Sequence, residues 1–151
     1  MMGGEPMRLA AVALCSLMLG GGVPCAAQGL EGPDSALARA RVAADAWLAL
    51  LDGTQYEASW DSAAALFRAA VSRSAWETAL LKARAPFGPV RERTLLTAAY
   101  RTELPGVPPG QYVVMQYEAD VTGGRKVVET VTPMIERDGR WRVSGYYIRP
   151  Q

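Results

Sequence analysis

The sequence contains no histidine, and its only two cysteines, Cys15 and Cys25, lie near its start. A Ser-His-Asp triad in its ordinary form is therefore excluded, and Ser72 and Ser74 have no histidine to act as their base. No nucleotide-binding, metal-binding or nucleophile motif occurs, so the sequence predicts no cofactor and no metal site. Neither sign of charge dominates, because the chain has 16 Lys and Arg residues and 15 Asp and Glu residues, and it has no basic block. This balance argues against nucleic acid as a partner.

A hydrophobic run long enough to cross a membrane is also missing. The uncharged run 9–19 follows Arg8 and is too short for a stable spanning helix, and small residues follow it up to Ala27. We predict that residues 1–27 are a cleaved signal peptide and residues 28–33 a linker. The mature chain would then have no transmembrane span and would be periplasmic or secreted. Lipidation of Cys25 is the alternative, although Gly22, Val23 and Pro24 fit such a processing site poorly.

Three stretches of helical periodicity lie between residues 34 and 85. Thr54 with Glu57, and Ser74 with Glu77, have the spacing of capping boxes that would begin the second and third helices. Pro86 prevents the third helix from continuing. The apolar residues predicted to face the core are Leu37, Ala40, Ala44, Trp47, Leu48 and Leu51 in the first helix, Tyr56, Trp60, Ala64, Phe67 and Val71 in the second, and Trp76, Leu80 and Leu81 in the third.

Four strands are predicted after the helices, at residues 90–104, 112–121, 126–136 and 140–148, with glycine-bearing hairpin breaks between the last three. The first strand is long enough that a bulge or bend is expected within it. Its apolar residues lie at both parities, so the pattern does not decide which face is buried. Three helices packed on one face of a four-stranded antiparallel meander make a single α+β domain over residues 34–151. A curved sheet would resemble nuclear-transport-factor-like or cystatin-like folds.

The register of the last three strands follows from the hairpin loops. A three-residue loop that contains Gly123 and Gly124 pairs odd-numbered residues with each other, whereas a two-residue turn would place Glu118 opposite Glu129. Pro133 cannot donate to a ladder, so we expect a bulge or a break in pairing there. The residues predicted to face the helices are Val113, Met115, Tyr117, Ala119 and Val121, then Val127, Glu129, Val131, Pro133 and Ile135, then Trp141, Val143, Gly145 and Tyr147.

Glu129 is the one carboxylate that this register turns toward the helices. An isolated charge there would be costly, so we predict that Tyr117, Tyr147 and Arg93 hold it. The preferred role of these four residues is a structural network that fixes the register, and a binding site formed by the same residues is the alternative. The tryptophans Trp47, Trp60, Trp76 and Trp141 are predicted core residues, and the dispersed Asp45, Asp61 and Asp120 are predicted to be solvated.

The chain also resembles a family of exported bacterial proteins, the domain of unknown function 4019. The residues that carry the resemblance are 46–50 with Asp52 and Gly53, Tyr56, Ser59, Trp60, Phe67, Trp76, Ala79, Leu80, Pro86, Gly88, 104–106, Pro108, Gly110, 112–114, Gln116, Tyr117, 128–134 and 138–148. The resemblance implies an exported domain with a signal peptide. It implies no activity and no site residues.

Two function hypotheses follow. The first is a binding or protein-interaction module, whose partner is an unknown small molecule or an envelope protein. The alternative is a small histidine-independent lyase, isomerase or hydrolase that uses a buried carboxylate with Tyr and Arg. They differ in whether an ionisable group lies at the floor of a pocket that solvent can reach.

Overall fold

The computed structural model describes residues 32–151, so the predicted signal peptide and most of the predicted linker lie outside the described residues. Helices come first and strands second, which confirms the predicted α+β class. The sheet has the order β1-β2-β3-β4, and all its neighbours are antiparallel. The elements are α1 Pro33–Asp52, α2 Tyr56–Asp61, α3 Ala65–Ala70, α4 Arg73–Arg84, β1 Val90–Arg101, β2 Tyr112–Val121, β3 Arg125–Ile135 and β4 Trp141–Pro150.

Helix α1 is the main element of the helical layer, because it contacts all four strands. Its buried residues recur at steps of three and four, as predicted, and Leu37 is only partly buried. No helix within residues 32–151 has the length and hydropathy of a membrane span. The buried residues of α1 are Ala36, Ala40, Ala44, Trp47, Leu48 and Leu51.

The prediction of one helix over the second periodic stretch is wrong, because α2 and α3 are separate. Ala64 between them is extended, and its N–H donates to the carbonyl of Val143 in β4 at 2.8 Å. The Ser62 hydroxyl donates back to the Ala58 carbonyl at 2.8 Å, a bond that competes with continued helix. A tertiary hydrogen bond to the sheet thus interrupts a helix that local propensity favours.

Both predicted capping boxes are wrong in position. Thr54 has a positive φ of 57° and donates its hydroxyl to the Gly53 carbonyl, so it does not cap α2. The N-cap of α4 is Ser72, whose hydroxyl accepts from the Ala75 N–H at 3.3 Å. Ser74 lies within the first turn of α4, and its hydroxyl is 3.4 Å from the Ser72 hydroxyl.

We expect Ser72→Ala to lower the free energy of unfolding by about 1 kcal/mol, because it removes the cap of α4. Ser74→Ala is the matched control and should leave the unfolding free energy near that of the parent. Urea denaturation followed by circular dichroism measures both. The reverse order of the two variants would restore Ser74 as the cap.

Three of the four tryptophans are core residues as predicted, since Trp47, Trp76 and Trp141 are buried. Trp60 is only partly buried: it packs against the core, donates to the Val71 carbonyl at 2.8 Å and lies under the Arg73 guanidinium. Leu81 was predicted to face the core and is 55% exposed instead.

The predicted register between β2 and β3 is confirmed. Tyr117 lies opposite Glu129, and Val121 lies opposite Arg125 across the three-residue loop 122–124. Gly123 and Gly124 both have positive φ in that loop, which glycine adopts without strain. The odd-numbered residues of β2 are buried as predicted, and so are those of β3 from Val127 to Pro133.

A β-bulge interrupts the pairing of β3 with β4 at Pro133, where the sequence predicted a bulge or a break in pairing, and its extra residue lies in β4 and not in the strand of the proline. Pro133 pairs with Val143 and Thr132 pairs with Gly145, so Ser144 is the extra residue. The side-chain alternation of β4 reverses at that point. The prediction that Tyr147 faces the helices is therefore wrong: Tyr147 is 62% exposed, and Tyr146 packs against the core in its place.

Strand β1 has two comparable irregularities. Its register against β2 shifts between Val90 and Glu92 and again between Leu95 and Thr97. The second shift makes Leu96 an extra residue, so Leu95 and the later Ala98 and Tyr100 all pack against the core despite their different parity. The mixed apolar pattern of this strand thus has a structural cause.

Candidate functional site

The Glu129 side chain is fully buried and has three hydrogen-bond donors. The Tyr146 hydroxyl donates to Oε1 at 2.6 Å, and Nη1 of Arg84 lies 3.3 Å from the same oxygen. Nε of Arg93 donates to Oε2 at 2.7 Å. A carboxylate without these partners would be costly at a position with no solvent exposure.

A second carboxylate, Asp52, completes the arrangement by joining the same two arginines. It accepts from Nη2 of Arg84 at 2.7 Å and from Nη1 and Nη2 of Arg93 at 2.8 and 3.1 Å. We call Asp52, Arg84, Arg93, Glu129 and Tyr146 the ionic cluster. Its two arginines and two carboxylates have equal and opposite charges, so the cluster is neutral.

Each member of the ionic cluster comes from a different element. Asp52 ends α1, and Arg84 ends α4, where a cation also interacts favourably with the helix dipole. Arg93 faces the helices from β1 together with Leu95, before the Leu96 irregularity. Tyr146 faces them from β4 only because Ser144 forms the bulge. The cluster therefore requires the helix ends and the irregular edge strands at once.

The electrostatics favour an ionised Asp52 and ionised guanidinium groups in the cluster. Burial acts to raise the pKa of Asp52, but the hydrogen bonds and charges of Arg93 and Arg84 outweigh it and hold that pKa below its ordinary value. Burial likewise acts to lower the pKa of both arginines, and their acidic partners raise it above normal. The pKa of Tyr146 is raised, mainly by burial and also by the Glu129 charge, so its phenol stays protonated.

Of the four predicted site residues, the structure brings two together. Arg93 contacts Glu129, as the sequence suggested. Tyr117 is buried, but its hydroxyl donates to Oδ1 of Asp45 at 2.8 Å and lies outside the cluster. Tyr147 points away from the helices.

Sequence reasoning missed Asp52, Arg84 and Tyr146. The signal for Arg84 was present, because Trp76, Leu80 and Arg84 follow one another at steps of four along the buried face of α4. Tyr146 could have been predicted only by carrying the register shift of a bulge at Pro133 through the rest of the last strand. Nothing in the sequence distinguished Asp52 from an ordinary polar residue at a helix end.

A cleft of about 260 Å³ opens beside the ionic cluster. It lies between the ends of α1 and α4 and the start of β1, and we call it the α1–α4 cleft. Asp52 and Arg84 supply its charged groups, with side chains 30% and 9% exposed. Its other lining residues are Leu51, Thr54, Tyr56, Leu81, Ala85, Gly88, Pro89 and Val90.

Within residues 32–151, no group of three or more Cys, Asp or Glu side chains is placed to hold a metal ion. The carboxylates of the ionic cluster are bound by arginines instead. The arrangement can therefore orient a polar group by hydrogen bonds and fixed charge.

Three comparisons with known proteins bear on this chain. The family model described as Protein of unknown function (DUF4019) matches residues 43–146. No curated protein matches the sequence. Among solved structures, a protein from Catenulispora acidiphila is similar with a TM-score of 0.52 and 14% identity, over 78% of this chain and 92% of that chain. At that identity the similarity concerns the fold alone.

Proposed function

This chain belongs to the family described as Protein of unknown function (DUF4019), which assigns it no activity, and we propose that it binds a small molecule in the α1–α4 cleft. The observation that carries the proposal is the pair of Asp52 and Arg84 in the lining of an otherwise largely apolar cleft. Binding sites for small molecules combine mostly apolar walls with a few fixed polar groups in this way. The expected location is periplasmic or secreted, on the strength of the predicted signal peptide at residues 1–27.

The walls of the cleft support the proposal. Leu81 lines the cleft and is 55% exposed, so its apolar side chain is accessible to a ligand. Thr54, also a lining residue, has the only positive φ among the described non-glycine residues. Strained backbone of this kind persists where the surroundings enforce it, and it concentrates at binding sites.

The state of the carboxylates favours binding over catalysis. Asp52 reaches the cleft, but its lowered pKa makes it a weak base. Glu129 is enclosed behind the arginines and has no exposed surface with which to touch a substrate. The lyase, isomerase or hydrolase alternative needs a carboxylate that is both reachable and basic, and neither residue meets both conditions.

We expect small amphipathic compounds to bind the purified protein and to shift the NMR resonances of residues that line the cleft, such as Leu51, Leu81 and Val90. Ala85→Phe should weaken this binding by about tenfold or more, because a phenyl ring at that lining position occupies a cleft of only about 260 Å³. ¹⁵N–¹H correlation spectra during titration with a fragment library measure both effects.

Ala83→Phe is the matched control, since Ala83 is exposed in the last turn of α4, two residues before Ala85, and does not line the cleft. It should bind the same compounds as the parent. Shifts confined to other surfaces, or equal binding by the Ala85→Phe variant, would refute the proposed site.

A further inference from the structure

We infer that the polar group of the ligand is an uncharged hydrogen-bond donor and acceptor, a hydroxyl or a primary carboxamide, attached to a small apolar body. The inference rests on the proposed function, because it specifies the ligand class of the same α1–α4 cleft. It follows from the hydrogen bonds, the charges and the walls of that cleft.

The hydrogen-bond capacity of Asp52 is not exhausted by the arginines. A carboxylate has about four acceptor positions, and Asp52 accepts three hydrogen bonds, one from Arg84 and two from Arg93. Its side chain is more exposed than that of Arg84 and lines the cleft. A ligand that enters the cleft therefore meets an acceptor position of Asp52 that the arginines leave open.

The donor groups lie beside that acceptor. Nη2 of Arg84 is 2.7 Å from Oδ1 of Asp52, so a guanidinium edge and a carboxylate edge lie side by side in the lining of the cleft. A hydroxyl or a primary carboxamide can both donate and accept, whereas an ammonium only donates and a carboxylate only accepts. A hydroxyl or a primary carboxamide is therefore complementary to both Asp52 and Arg84.

The charge balance selects among the possible donors. The ionic cluster is already neutral, because Arg84 and Arg93 offset Asp52 and Glu129. A ligand ammonium would add a third cation next to two arginines, and a ligand carboxylate would add a third anion next to Asp52. Either addition leaves an uncompensated charge in a partly buried site, whereas a neutral group leaves the balance unchanged.

The walls set the size and character of the rest of the ligand. Leu51, Leu81 and Val90 offer apolar surface, and the volume of about 260 Å³ is below the range of about 300 to 1,000 Å³ typical for drug-sized molecules. The ligand body is therefore small and apolar, of the size of a single ring or a short alkyl chain.

Five compounds with one ring and different polar groups test the inference: benzyl alcohol, benzamide, anisole, benzylammonium and benzoate. Each is titrated into the purified protein at neutral pH, and dissociation constants are taken from NMR shifts of Leu51, Leu81 and Val90. We expect benzyl alcohol and benzamide to bind about tenfold or more tightly than benzoate and benzylammonium. Anisole, an isomer of benzyl alcohol without a donor, should also bind more weakly than the alcohol.

The outcomes separate the inference from the proposed function. If none of the five compounds shifts the cleft resonances, the small-molecule site itself is refuted. If benzoate, benzylammonium or anisole binds as tightly as benzyl alcohol, the site stands and the neutral-donor inference is overturned.

Asp52→Asn provides a second measurement. The variant cluster has an excess positive charge, so benzoate should gain affinity and the preference for benzyl alcohol should fall by about tenfold or more. Asp61→Asn, at an exposed aspartate outside the cleft, should keep the parent preference. A folded Asp52→Asn variant with unchanged preference would overturn the inference, and if this variant does not fold, the parent titrations decide it.

Discussion

Replacing Glu129 by alanine should lower the free energy of unfolding by about 3 to 5 kcal/mol, a large part of the stability of a domain this size. The substitution removes one of two anions that balance Arg84 and Arg93 and leaves the Tyr146 hydroxyl without its acceptor. Two guanidinium groups would then share Asp52 alone in a site from which water is largely excluded. Denaturation in urea, followed by tryptophan fluorescence, measures the change.

Glu118→Ala is the control, because Glu118 lies on the neighbouring strand and pairs with an exposed lysine, Lys126. Exposed pairs contribute little, so that variant should unfold near the parent midpoint. Glu129→Gln should lie between the two, since its amide keeps an acceptor for Tyr146 or an arginine but loses the charge. A Glu129→Ala variant as stable as the parent would mean that the ionic cluster does not form in solution.

The second large effect concerns Tyr146 and Tyr147, adjacent residues with opposite environments. Tyr146→Ala should lower the free energy of unfolding by about 3 kcal/mol, as for other aromatic truncations in a core. Its ring packs 5.5 Å from Trp47 and 6.1 Å from Trp76 between centroids, and its hydroxyl holds Glu129. Tyr147→Ala should change the free energy of unfolding by less than about 1 kcal/mol, because the Tyr147 side chain is on the face of the sheet away from the helices. Thermal unfolding compares the pair.

This comparison also tests the bulge at Ser144. A continuous ladder without the extra residue would bury Tyr147 and expose Tyr146, so the two effects would exchange. Tyr146→Phe separates the ring from the hydroxyl. This variant should lose only about 1 to 3 kcal/mol of unfolding free energy, since the packing of the ring is retained and the carboxylate of Glu129 loses one donor.

The sheet was predictable from the sequence because its determinants are local. Alternation, loop length and the repulsion between Glu118 and Glu129 fixed the register of β2 and β3, and the buried position of Glu129 followed. Pro133 marked the place of the bulge, since it has no N–H to donate. Carrying the extra residue through the rest of β4 would also have turned Tyr146 inward.

The rest of the cluster was less accessible because it depends on contacts between distant elements. Asp52 and Arg84 are 32 positions apart and meet only after α1 and α4 have packed. The break between α2 and α3 has a similar origin, in the hydrogen bond from Ala64 to β4. Neither local propensity nor periodicity contains such information.

The register irregularities have a further consequence for the two outer edges of the sheet. All three extra residues, Arg91, Leu96 and Ser144, lie in the outer strands β1 and β4, while β2 and β3 pair at constant register. Extra residues at a sheet border twist the free row of N–H and C=O groups and break its spacing. A strand of another molecule therefore meets an outer strand with an extra residue on either side of the sheet, which opposes its addition. The extra residue in β4 is also the one that turns Tyr146 toward Glu129.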